Sequence, residues 1–108
     1  LYPDFKITSG QPVYIFSAIF LPSDFKLTVI HEWQHYDKYQ NKWTTESMIN
    51  LPLLGGRDGG YRTYSARKNL ESGKWKVKIK TQTNQVIGQI RFNIVPVETE
   101  AILKTMVL

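Results

Sequence analysis

Five consecutive residues, His31-Glu32-Trp33-Gln34-His35, match the H-E-x-x-H pattern of zinc metalloproteases. On a helix, positions i and i+4 share a face, so His31 and His35 would grip one Zn²⁺ while Glu32 activates a bound water. On a strand the same letters mean something else. Residues rise about 3.3 Å each, which puts the two imidazoles roughly 13 Å apart, too far for one metal. The chemistry of this stretch is therefore set by the element that carries it.

The lead-in favours a strand. Thr28, Val29 and Ile30 are β-branched, lose χ1 freedom in a helix and suit a pleated surface. A strand through Phe25 to His35 places Leu27, Val29, His31 and Trp33 on one face and turns Glu32 to the other. Tyr36 to Lys42 is polar and turn-forming, with no apolar stripe to prolong a helix. A zinc site would also need a third ligand. Asp37, Glu46, Asp58, Glu71, Glu98 and Glu100 are the acidic candidates, none of them in a second recognisable motif.

A second group that could bind a ligand is Arg57, Tyr61, Arg62 and Tyr64, beside the run Gly55-Gly56-Arg57-Asp58-Gly59-Gly60. Aromatic rings next to guanidinium groups hold sugars by stacking and bidentate hydrogen bonds. The glycines themselves form no phosphate cradle: G-x-x-x-x-G-K-[ST] is absent and no helical pattern follows. They read as a tight connection between strands. The chain offers no G-x-S-x-G, no Cys and no paired acid and base, so no catalytic set and no cofactor motif emerges.

The positioning elements read as strands. Lys74, Lys76, Lys78 and Lys80 alternate with Trp75, Val77, Ile79 and Thr81, a period of two with lysines outward. Gln82 to Gln85 is a turn, and Val86 to Val95 a second strand with Val86, Gly88, Ile90, Phe92 and Ile94 on one face. Val13 to Phe20, Trp43 to Leu51 and Tyr61 to Arg67 read as further strands. Trp33 and Trp75 are expected in the core, one from each sheet. The expectation is an all-β, antiparallel, immunoglobulin-like sandwich of about seven strands over residues 1–96, with 97–108 a tail or short helix.

The 108 residues suit one domain. Absent cysteines exclude disulfides and thiolate metal sites. The net charge of +5 permits anionic partners. The lysine row, however, reads as a solvating and anti-pairing device. No aromatic is interleaved on that face, so nucleic acid is not expected as a partner. No apolar run reaches the length of a membrane span. The first residue is leucine, as in a piece of a longer protein, so any membrane anchor is expected outside this segment.

The order of motifs resembles a known family. His31-x-Trp33 is followed by Trp43, then Gly55-Gly56-Arg57-x-Gly59-Gly60-Tyr61-Arg62-x-Tyr64-Ser65, then Gly73-x-Trp75-x-Val77 and Gln85-x-Ile87-Gly88-x-x-x-Phe92. Over residues 5–95 the chain looks like the bacterial domain-of-unknown-function family found at the C-terminal end of membrane-attached proteins. The resemblance implies an immunoglobulin-like sandwich with His-x-Trp inside a strand, and it carries no catalytic residue. It also implies an extracytoplasmic or membrane-tethered bacterial module, though nothing in the composition bars a cytoplasmic location. The function expected is a non-enzymatic accessory or binding module of an envelope protein, its ligand a protein partner or a glycan. The alternative is a small zinc hydrolase built on His31, His35 and Glu32. Oligomeric state has no signature in the sequence.

Overall fold

The computed structural model describes residues 2–19, 28–57, 60–98 and 104–108. These residues form nine strands and no helix. They are β1 (Asp4–Ile7), β2 (Val13–Ile19), β3 (Thr28–Asp37), β4 (Lys42–Pro52), β5 (Leu54–Arg57), β6 (Gly60–Arg67), β7 (Gly73–Thr81), β8 (Val86–Pro96) and β9 (Lys104–Val107). Two sheets result, in the orders β1-β8-β7-β3-β4 and β5-β6-β2-β9.

Each long strand follows its hydrophobic period. In β7, Trp75, Val77 and Ile79 are buried, and in β8 so are Ile90, Phe92 and Ile94. From the other sheet, Val13 and Ile15 of β2 meet them across the gap. Burial of this apolar surface is the main force holding the sheets together. Two hairpins fix the register of the five-stranded sheet. Asp37 pairs with Lys42, and the Asp37 carboxylate accepts from the amides of Tyr39 and Gln40 at 2.9 and 3.1 Å. Thr81 N–H donates to the Gln85 carbonyl at 2.9 Å in the second turn. Asn41 and Asn84 supply the positive φ these turns need, 54° and 70°.

Several details depart from the expectation. The sheets are mixed, because β1 runs parallel to β8 and β9 runs parallel to β2. The strand number exceeds seven because three four-residue strands, β1, β5 and β9, are too short to show a period of two. Residues 104–107 are strand β9 rather than a helix or loose tail, since backbone pairing with Val13 to Phe16 of β2 captures them. Trp33 and Trp75 belong to one sheet, on neighbouring strands β3 and β7. The glycine run also differs from a plain connection: Leu54 to Arg57 pairs back onto β6, with a register shift between Gly55 and Arg57. The strand expected from Phe25 begins at Thr28 in the description, and residues 20–27 lie outside it.

Candidate functional site

Residues 28–37 are one strand in unbroken register with β7, His31 opposite Ile79 and His35 opposite Trp75, while its pairing with β4 shifts between Trp33 and Gln34. Both imidazoles therefore point between the sheets, two repeats apart, while Glu32 lies on the outer face. The zinc alternative needed a helix over these residues, and the strand removes that geometry. Among the described residues, no three His, Cys, Asp or Glu side chains gather as a metal site would require. Each member of the five-letter motif has a separate structural engagement instead.

His31 is fully buried and bridges the sheets. Its Nδ1 lies 2.7 Å from Ser65 Oγ on β6, and its Nε2 lies 3.1 Å from Ser17 Oγ on β2. Trp33 Nε1–H donates to the same Ser65 Oγ at 3.0 Å. One tautomer satisfies this chain in sequence: Trp33 donates to Ser65, Ser65 donates to Nδ1, and Nε2–H donates to Ser17. Burial holds the His31 pKa down at about 4, against an ordinary 6.5. A protonated ring would also have two donors where Ser65 can no longer give its proton. In antibody domains a disulfide beside a buried third-strand Trp joins the sheets. Here a neutral Ser17–His31–Ser65–Trp33 seam occupies the space between the same layers.

His35 stacks on Trp75, with ring centroids 4.6 Å apart. Its Nε2 is 2.9 Å from the Ser72 carbonyl, and Nδ1 is 3.7 Å from the Glu71 carboxylate. Gly73 beside it has φ +111°, and a Cβ there would sit 3.3 Å from His35 Nε2. That position accepts glycine for both reasons. Glu32 pairs with Lys80 at 2.8 Å, both side chains nearly buried, and accepts from Thr45 Oγ1 at 2.6 Å. Burial alone would raise the Glu32 carboxyl; the Lys80 ammonium and Thr45 hydroxyl outweigh it and hold the pKa below its usual value. Lys80 is thus an internal counter-ion, not a solvated member of the lysine ladder.

Two solvent faces carry aromatic groups. On the four-stranded sheet, Tyr64 is 54% exposed and stacks on Phe16, with centroids 5.2 Å apart; Tyr14 adjoins at 6.3 Å. Arg62 shares the outward face of β6 with Tyr64 and is exposed. Of the four expected ligand residues, the structure therefore puts Arg62 and Tyr64 together on one face. The side chains of Arg57 and Tyr61 lie outside the described part. Tyr14 and Phe16 escaped the sequence reading because they stand about fifty residues away in sequence; register alone (Tyr14 opposite Ala66, Phe16 opposite Tyr64) joins them to β6.

On the five-stranded sheet, the lysine face is not free of aromatics. Trp43 and Tyr36 make an edge contact at 5.3 Å, and Tyr2 lies 6.4 Å from Trp43. Lys76 Nζ sits 4.2 Å over the Trp43 ring, Lys74 Nζ 5.1 Å over Tyr2, and Arg91 Cζ 6.0 Å from Tyr2. The rings come from β3, β4 and the segment before β1, so no local period announced them. A cavity of about 710 Å³ opens at this end of the sandwich, lined by residues including Tyr36, Thr44, Lys74 and Asn93, and also by Asp37, Glu46 and Glu71.

The family described as "Protein of unknown function (DUF2914)" matches residues 26–94. The chain belongs to that family. The matched stretch holds the His31–Trp33 strand, the whole β3-β4 hairpin and most of the β7-β8 hairpin, and it falls within the 5–95 range over which the motif order resembled such a family. No curated protein matches the sequence. Among solved structures, the chain is similar to that of "NK cell receptor Nkp44, a triggering partner in natural cytotoxicity", with TM-score 0.59 and 14% identity over 90% of this chain and 99% of that one. At that identity the likeness speaks to fold, and the fold is the immunoglobulin-like sandwich expected from the strand pattern.

Proposed function

We propose that this domain is a non-enzymatic accessory module of a bacterial envelope protein, and that it captures a protein partner or a glycan through the outer face of its four-stranded sheet. The observation that carries this is the ring cluster Tyr14–Phe16–Tyr64, Tyr14 half-buried and the other two exposed, on a sheet face with no further layer among the described residues. Phe16 and Tyr64 are 36% and 54% exposed, on adjacent strands and stacked on each other. Contiguous exposed rings of this kind mark association surfaces. The apolar character of Phe16, with Val107 opposite it on β9, favours a protein partner over a glycan. The envelope setting is what the family resemblance over residues 5–95 implies, and it adds no residue to the site.

The reading is tested in the bacterium by placing a photo-crosslinking phenylalanine at position 64 of the full-length parent protein. A discrete adduct is expected from position 64 and none from exposed Thr83, at the far turn. Phe16→Ser should abolish the adduct while leaving the circular dichroism of the domain unchanged. Equal crosslinking from both positions, or an adduct indifferent to Phe16→Ser, contradicts the proposal. If no protein adduct forms and a neutral glucan protects the position from labelling, the glycan half of the reading is the one that stands.

A further inference from the structure

The outer face of the five-stranded sheet is a separate surface from the Tyr64 face. The geometry points to an acidic glycan, a linear sugar chain bearing carboxylate or sulfate groups, lying across β7 beside Trp43. Three observations converge on it.

The first is charge. Lys74, Lys76 and Lys78 project from one face of β7, spaced roughly 6.6 Å apart along the strand. Arg91 stands opposite Lys76 on β8. Lys80 is already paired with Glu32, and Asp4, held by the neutral Asn93 amide at 3.0 Å, keeps its charge; Lys74 shares its end with the carboxylates that line the cavity, so the uncompensated cations centre on Lys76, Lys78 and Arg91. Their crowding is felt: burial and the charges of Lys78 and Arg91 lower the pKa of Lys76, with Glu32 opposing weakly. An anion laid among them relieves that repulsion.

The second is how the cations are held. Lys76, Lys74 and Arg91 are seated over the rings of Trp43 and Tyr2 at 4.2, 5.1 and 6.0 Å. Rings fix otherwise mobile ammonium groups in place, which lowers the entropy lost on binding. The same seating argues against single-stranded nucleic acid, whose readers present open ring faces for bases. The rings are also half-buried, so they do not protrude to insert into a bilayer.

The third is an acceptor. Gln34, in register with Lys76 and 9% exposed, has a buried Oε1 with no protein partner among the described residues. Its amide nitrogen is spent on Glu32 and Thr45, at 3.4 and 3.3 Å. A small outward turn of Gln34 would bring this unpaired acceptor to a hydroxyl of a bound sugar chain.

The test is isothermal titration of the intact domain at low salt with oligogalacturonate and with heparin, against a neutral maltooligosaccharide. Binding to an acidic chain, absent with the neutral one, is expected. Lys76→Gln with Arg91→Gln should weaken it about a hundredfold, at about tenfold per charged contact. Trp43→Ala should weaken it about tenfold with the thermal transition retained. Tyr64→Ala should leave it unchanged, which separates this site from the one under Proposed function. The inference is overturned if neither acidic chain binds, if the double variant binds as well as the wild type, or if polyuridylate or phosphatidylglycerol vesicles bind more tightly than both glycans.

Discussion

Ser65 Oγ lies 2.7 Å from His31 Nδ1, and this contact joins the two sheets through a neutral imidazole. Ser65 serves Trp33 as well, at 3.0 Å, so one hydroxyl satisfies two buried ring nitrogens. Ser65→Ala should therefore cost more than Ser17→Ala, which leaves only the His31 Nε2 position unpaired. Roughly 2–4 kcal/mol against about 1–2 kcal/mol is expected, from the cost of orphaning buried polar groups. Urea unfolding of both variants checks the order, and equal losses would mean that Trp33 finds another acceptor.

The seam makes stability depend on pH with a defined sign. The folded pKa of His31, about 4, lies below the ordinary 6.5. Between those values the unfolded chain holds a proton that the native state refuses, so stability falls as pH falls. The slope is about 1.4 kcal/mol per pH unit at most, and the total loss is roughly 3 kcal/mol. His31 contributes no slope above 6.5. Glu32 adds a separate loss at lower pH, because its folded pKa is also depressed and its stabilisation disappears as the carboxyl protonates. Denaturant midpoints at intervals from pH 7 to 4 should show the His31 slope, and His31→Gln should flatten it.

The Glu32–Lys80 pair predicts an asymmetric double-mutant cycle. Lys80→Met strands a nearly buried carboxylate and should destabilise by roughly 3–5 kcal/mol. Adding Glu32→Met to that variant should recover much of the loss, because two methionines pack where two desolvated charges stood. Thermal melts at neutral pH check it. If both single variants and the double are equally unstable, the pair is part of a wider network through Thr45 and Asn84.

Gly88 and Leu108 meet where β8 faces the chain just after β9. A Cβ on Gly88 would approach Leu108 Cδ2 to 2.6 Å, so the bare strand position is what admits the leucine. Leu108 N–H donates to the Phe16 carbonyl at 2.8 Å. Gly88→Val should expel the Leu108 side chain and speed hydrogen exchange of its amide by about tenfold or more, with little change at Trp33, which is fully buried on β3. Unchanged protection at Leu108 would show that β9 is held by its backbone pairing alone.

The elements legible in the sequence were those with a period of two over seven or more residues. The alternation of Lys74 to Thr81 and the β-branched run Thr28-Val29-Ile30 announced β7 and β3, and with them the sandwich. The short strands carried no such signal, and β9 is defined by its partner β2, not by its own letters. The candidate site was half legible. Arg62 and Tyr64 sit on one strand and so read together, whereas Tyr14 and Phe16 join them only through register. The Tyr2–Tyr36–Trp43 platform was invisible for the same reason: lysines and rings come from different strands and meet only in the folded sheet. His31-Glu32-Trp33-Gln34-His35 was legible as chemistry in the wrong geometry, because the five letters do not encode whether the residues wind or extend.

In the folded chain His31 and Trp33 form a structural seam between the sheets, not half of a zinc site. Long-range ¹H–¹⁵N spectra of the imidazoles, recorded from pH 8 to below 4 with and without equimolar zinc, test it directly. His31 should remain neutral with its proton on Nε2 until about pH 4, and zinc should leave its resonances unmoved. A His31 that titrates near 6.5, or zinc shifts appearing together at His31 and His35, would contradict it.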